Sequence, residues 1–226
     1  MSRTLSVYQR ALGGEFNRLQ PELQEYFSLN EHSGMFGVGR GTFDVAGCPS
    51  PLLRPVFSLT ARENAFFPEY ADGVGFTIRN WAHLDPFGRP SLTARRELAF
   101  PTASRVFEDT TSWTGNTLVD YLGAHRRVAT ALVCHVTEQR RMRMVSSATR
   151  LFAGPLRLPV PDVVGAQAFV EQWWDREENR FRISANVLHR QLGPVLVYAG
   201  AFTYELAAYD GGLPTAASPL RWERRR

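Results

Sequence analysis

The sequence contains no lysine; all 26 basic residues are arginine. That excludes Schiff-base lysine chemistry, pyridoxal-phosphate attachment and a P-loop, which needs its Gly-Lys pair. Cysteine is nearly absent, with only Cys48 and Cys134 present. Two distant thiols make no disulfide framework, so reduced thiols in a cytoplasmic protein are expected. No apolar run approaches the roughly 18 residues of a membrane span. Met1-Ser2-Arg3-Thr4-Leu5-Ser6 lacks the apolar core of a secretory signal. The sequence has no G-x-S-x-G elbow, no H-E-x-x-H and no clustered Cys/His pattern, so neither a metal nor an organic cofactor is expected.

The net charge is +4, but its placement matters more than its size. Four arginines and one glutamate fall within Arg221–Arg226, and the rest of the chain is nearly neutral. A nucleic-acid binder spreads its basic footprint over a folded face, so that class is disfavoured.

Leu5 to Leu29 has helical periodicity, with Tyr8, Leu12, Phe16 and Leu19 on one face. Gly13-Gly14 and Pro21 divide it into two shorter helices. Gly34, Gly37, Gly39 and Gly41 follow at a spacing that fails the dinucleotide pattern, which points to a loop entering a strand. From Val74 the period is two. Strands are expected from Val74, over Ser91–Phe100, Arg105–Ser112, Thr117–Leu122, Val128–Thr137 and Met142–Phe152, then over Ala168–Asp175, Phe181–His189 and Val195–Leu206. Many strands without intervening helices indicate an antiparallel sheet that closes on itself. The expected fold is mainly β (α+β): an antiparallel β-barrel of calycin or lipocalin outline with N-terminal helices. It forms a single domain over residues 1–209, followed by a flexible Arg-rich tail over 210–226.

Residues two apart on a strand share a face. By that parity Arg96 falls among Leu92, Ala94, Leu98 and Phe100, and Asp120 between Leu118 and Leu122. Arg150 falls with Met142, Met144, Ala148 and Phe152, and Glu171 between Phe169 and Trp173. Buried charges pair or face a wet cavity. Two arginines and two carboxylates on inward faces therefore predict either a structural ion-pair network or the polar floor of an apolar pocket. His125, at a strand end, is a proton-transfer candidate or a surface histidine. Tyr198 and Tyr204 share the parity of Phe202.

Several stretches carry a family resemblance: Tyr8-Gln9-Arg10-Ala11-Leu12-Gly13, Phe67-Pro68-Glu69, Asp85-Pro86-Phe87-Gly88-Arg89, Val119 to His125, and Gly193-Pro194 to Phe202. With these the chain resembles the bacterial DUF4166 family, a domain of unknown function found alone or fused to a saccharopine-dehydrogenase-like reductase. The resemblance ties Asp120 to His125, which lie in its most specific stretch. It names no activity.

The function these features favour is a cofactor-independent enzyme, an isomerase or cyclase acting on an apolar small molecule inside the barrel. Asp120, His125 and Glu171 are the catalytic candidates; Arg96, Arg150, Tyr121, Trp173 and Tyr198 are the substrate-binding ones. A non-catalytic carrier of a lipid-like ligand and an accessory domain docking to a reductase are the rivals. The expected partners are an apolar ligand and either a second copy of the chain or that reductase.

Overall fold

The computed structural model describes residues 4–161 and 165–226. The chain begins with α1 (Val7–Leu12), a 3-10 turn over Gly13–Arg18, and α2 (Pro21–Phe27). Ser6 starts α1 with a capping box shared with Gln9. Its hydroxyl also donates to the Phe27 carbonyl at 2.6 Å, locking α1 to α2.

Among the described residues eleven strands follow: β1 (Met35–Gly47), β2 (Tyr70–Leu84), β3 (Pro90–Ala99), β4 (Ser104–Trp113), β5 (Leu118–Leu122) and β6 (Val128–Val136), then β7 (Met142–Ala153), β8 (Leu156–Pro159), β9 (Ala166–Asp175), β10 (Arg180–His189) and β11 (Gly193–Ala208). Each barrel strand pairs antiparallel with the next, β6 with β7 and β11 back with β1, so ten strands close a barrel. The short β8 hangs outside the ring on β7. Closure pairs the backbone groups that an open sheet would expose at its edges. A short helix, α3 (Arg54–Thr60), with flanking 3-10 turns, lies between β1 and β2.

β1 corrects the expectation of a loop at the glycines. Gly37, Gly39 and Gly41 lie within it because side chains and backbone press on them. A Cβ on Gly41 would stand 2.1 Å from the Ala201 carbonyl oxygen. The glycines leave inward space for Tyr204, Ile78 and Phe202.

The N-terminal helices plug one end of the barrel. Leu19, Leu23 and Phe27 are buried in the core with Phe43, Phe76 and Phe202. Gln20 fixes the plug to the wall. Its amide donates to the Trp174 carbonyl at 3.0 Å, its side-chain oxygen accepts from the Trp174 N–H at 2.8 Å, and its own N–H donates to the Arg140 carbonyl at 2.9 Å.

The residues from Asp210, expected as a flexible tail, are laid against the barrel instead. Val119, Tyr121, Ala129 and Phe152 form an apolar cluster on the outer face of the sheet, and the tail covers it. Arg225 lies 4.7 Å over the Phe152 ring and donates to the carbonyls of Gly154 and Pro155. Arg89 joins Asp85, the Tyr121 hydroxyl and the Glu223 carbonyl. The segment also packs Trp222 edge-on against His83, with ring centres 5.7 Å apart.

Candidate functional site

All ten barrel strands send side chains into one interior cavity of about 330 Å³. Its wall is mostly apolar and aromatic, and its charged groups concentrate where β3, β4 and β5 run side by side. Asp109 opposes Ala94 on β3 and Leu122 on β5, while Arg96 opposes Phe107 and Asp120 opposes Thr111. Asp109 is therefore the diagonal neighbour of both Arg96 and Asp120 on the inner face.

The Arg96 guanidinium donates to Asp109 Oδ1 in a short ion pair and lies 5.2 Å from the Phe107 ring centre. Burial disfavours the Arg96 charge, but the Asp109 carboxylate outweighs it and raises the pKa. Asp120 has no ion-pair partner among the described residues. Burial, followed by the repulsion of Asp109, pushes its carboxyl up to about 8, against the hydrogen bond donated by Thr111 Oγ1 at 3.1 Å. At neutral pH the floor thus holds one ion pair and one protonated carboxyl, with no net charge.

Tyrosine hydroxyls surround this floor. Tyr8 from α1, Tyr26 from α2 and Tyr198 from β11 line the cavity. Burial raises the pKa of Tyr8 and of Tyr198, so both remain phenols. Asn80 donates to the hydroxyls of Tyr204 at 3.1 Å and Tyr26 at 3.4 Å. Asn80 Oδ1 and Gln172 Nε2 are buried without a partner among the described residues. Buried polar atoms are ordinarily satisfied, and a bound molecule could supply the missing partner.

Five of the expected site residues lie elsewhere. Glu171 faces out from β9, bonded to Arg141 at 2.9 Å and to Arg143 at 2.7 Å; it is Ala168, Val170 and Gln172 that face in. Trp173 shares that outer face, its ring covered by the Arg141 guanidinium at 4.7 Å. Arg150 points away from the cavity because Ala148, with φ of 36°, sits in a bulge that reverses the parity of β7. Beyond the bulge Thr149 and Leu151 face in, and Arg150 turns back to the Ala148 carbonyl at 2.9 Å. Tyr121 belongs to the outer cluster under the tail.

His125 does not reach the cavity. Gly123, with φ of 74°, turns the chain at the end of β5, and His125 pairs there with Glu63 from the β1–β2 connection. The Ala124 N–H donates to the Glu63 carbonyl at 2.7 Å. The same turn buries Arg126, which donates to the carbonyls of Tyr121 and Gly123 and to Thr110, near Glu108. The stretch from Val119 to His125 thus also builds a corner of the fold.

Arg96, Asp120 and Tyr198 do line the cavity. Asp109 was missed, although Phe107, Asp109 and Thr111 share one parity in an expected strand. Tyr8 and Tyr26 were not traceable, because they arrive from helices whose docking no local pattern encodes.

The cavity reaches the surface at the end opposite the plug. β7 pairs with β9 only over Met142–Val145, and with β8 over Arg150–Ala153. The wall divides between these contacts, where Thr149, Leu151 and Val160 line the cavity. Leu151 lines it and is also 41% exposed. Among the described residues no three His, Cys, Asp or Glu side chains are grouped to hold a metal ion. Among the described residues no helix is long and apolar enough to cross a membrane.

No curated protein matches the chain. The sequence profile described as Domain of unknown function (DUF4166) matches residues 19–202, from the plug to the final barrel strand. On that coverage the chain belongs to the DUF4166 family.

Proposed function

We propose that the barrel binds an apolar small molecule bearing one uncharged oxygen, and that Asp120 protonates that oxygen in a cofactor-independent isomerisation or cyclisation. The observation that carries this reading is the charge-balanced floor: Arg96 is spent on Asp109, and Asp120 holds its proton up to a pH of about 8. A carboxylate ligand would find no free cation there, whereas a carbonyl or hydroxyl would find acidic donors. Tyr8, Tyr198 and Gln172 offer further donors around the same space. The proton leaves Asp120 for the ligand oxygen, the resulting Asp120 carboxylate takes a proton from a carbon of the ligand, and the product keeps the formula of the substrate. A carboxyl with its pKa near the working pH suits such an exchange. Two free thiols fit a cytoplasmic setting.

A carrier without chemistry is the second reading. It is favoured by the position of His125 and Glu171 outside the cavity, which leaves Asp120 without the second carboxylate or imidazole expected beside it.

The test uses a neutral apolar extract of the source cells, incubated with the protein and with Asp120→Asn. Liquid chromatography and mass spectrometry then look for a compound that changes retention at constant mass. Conversion by the native chain and not by the variant supports the enzyme. Retention of an unchanged compound by both supports the carrier. A chain that neither converts nor retains any compound overturns both.

A further inference from the structure

The open rim of the barrel is built differently from its plugged end. The connection between β1 and β2 crosses that rim, and α3 within it has two apolar sides. Phe57 stacks on Phe66, a cavity-lining residue, at 5.2 Å. Leu52, Val56 and Leu59, spaced four and three apart, are exposed; Leu52 is 81% and Leu59 68% accessible. Leucines so exposed and so close together mark an interaction surface.

The unpaired charges around them are mostly positive. Arg54 and Arg62 flank the apolar stripe; the antiparallel order brings Arg127 and Arg190 to the same rim from the connections after β5 and β10, and Arg157 from β8, opposite Phe152 near the end of β7. All five are exposed, and none has an ion-pair partner among the described residues. The acids nearby are engaged: Glu63 by His125, and Glu69 by Arg105 at 2.5 Å. Asp72 alone is unpaired among the described acids of that region.

We propose that this rim docks on an anionic lipid bilayer, with Leu52, Val56 and Leu59 entering the apolar boundary and the arginines meeting the head groups. Apolar side chains ringed by cations are what an anionic membrane surface selects. A second copy of the chain fits poorly, since a two-fold contact would set the same arginines against one another. The surface adjoins the cavity mouth through Phe57 and Phe66, so an apolar ligand could pass between bilayer and barrel without crossing water. The proposal rests on the reading of the cavity as an apolar-ligand site for its purpose; its measurement is separate.

The experiment is co-sedimentation of the full chain with vesicles of phosphatidylcholine alone, or with about 30% phosphatidylglycerol, at about 0.1 M salt. The anionic vesicles should bind at least about tenfold more protein, and about 0.5 M salt should remove most of it. Arg54→Gln/Arg62→Gln and Leu52→Ser/Val56→Ser/Leu59→Ser should each weaken sedimentation about tenfold, with unchanged melting temperatures. Equal binding to both vesicles, or native-like binding by both folded variants, overturns the proposal. Titration with N-phenyl-1-naphthylamine, a neutral apolar probe, reports on the cavity without vesicles. Loss of probe binding alone refutes the ligand reading, and loss of vesicle binding alone refutes the docking.

Discussion

Arg96 and Asp109 satisfy each other inside the barrel, and that leaves Asp120, the diagonal neighbour of Asp109, as a carboxyl without an ion-pair partner among the described residues. The chemistry available to the cavity follows from this asymmetry, since a second arginine on the same floor would have ionised Asp120.

Asp120 should make the protein less stable as pH rises. The folded carboxyl keeps its proton to about 8, against an ordinary value of 3.8. Between those values the folded state binds more protons than the unfolded state, so the contribution of Asp120 to stability is full below about 4 and is lost as pH rises through about 8. Asp120→Asn should flatten that slope. Urea denaturation of both proteins from pH 5 to 8.5 measures it; equal slopes would refute the assignment.

Breaking the ion pair should cost more than removing it. Arg96→Met alone leaves the Asp109 charge buried and should destabilise by about 3–5 kcal/mol. The double change Arg96→Met/Asp109→Leu should recover most of that loss. A double-mutant cycle from denaturation midpoints decides it, and additive losses would contradict the pairing.

Glu171→Gln should leave ligand binding and any turnover unchanged, because Glu171 is bonded to Arg141 and Arg143 on the outer face. The partly exposed pair should contribute no more than about 1 kcal/mol. Abolished turnover in a folded variant would return Glu171 to the site.

Phe152→Ala should remove the platform of the C-terminal segment. The side chain is buried under Arg225. Emptying such a site costs about 3–5 kcal/mol. Trypsin should then cleave at Arg221 faster than in the native chain, and equal cleavage rates would show that the segment holds without Phe152.

Gly41→Ala should destabilise the barrel by about 1–3 kcal/mol, as overpacking does. Its new methyl group would meet the Ala201 carbonyl and Phe202. A thermal melt at native stability would disprove the close approach.

The strand pattern was legible because alternation is local: nearly every expected strand lies within a residue or two of the observed one outside β1 and β2. Arg96 and Asp120 were legible for the same reason. The losses have particular causes. A single left-handed residue, Ala148, shifts the parity of half a strand and takes Arg150 with it. In β9 the larger aromatics misled, since Trp173 finds its cover in Arg141 on the outside while small Ala168 faces in. His125 was read from its place near a strand end, but a glycine turn directs it to Glu63. Asp109, Tyr8 and Tyr26 depend on which strands and helices become neighbours, and spacing along the chain does not carry that.

The anchoring of Gln20 has a consequence for the order in which the molecule is made. The plug leaves the ribosome before the barrel does, and the Arg140 and Trp174 groups that receive it are synthesised more than a hundred residues later. Strand β1 likewise waits for β11, the last strand. Leu19, Leu23 and Phe27 must therefore stay unshielded, or be held by a chaperone, until those later strands are made. The ring and its stopper close together once β11 is made, and from that moment a molecule enters or leaves the interior by the open rim opposite the plug.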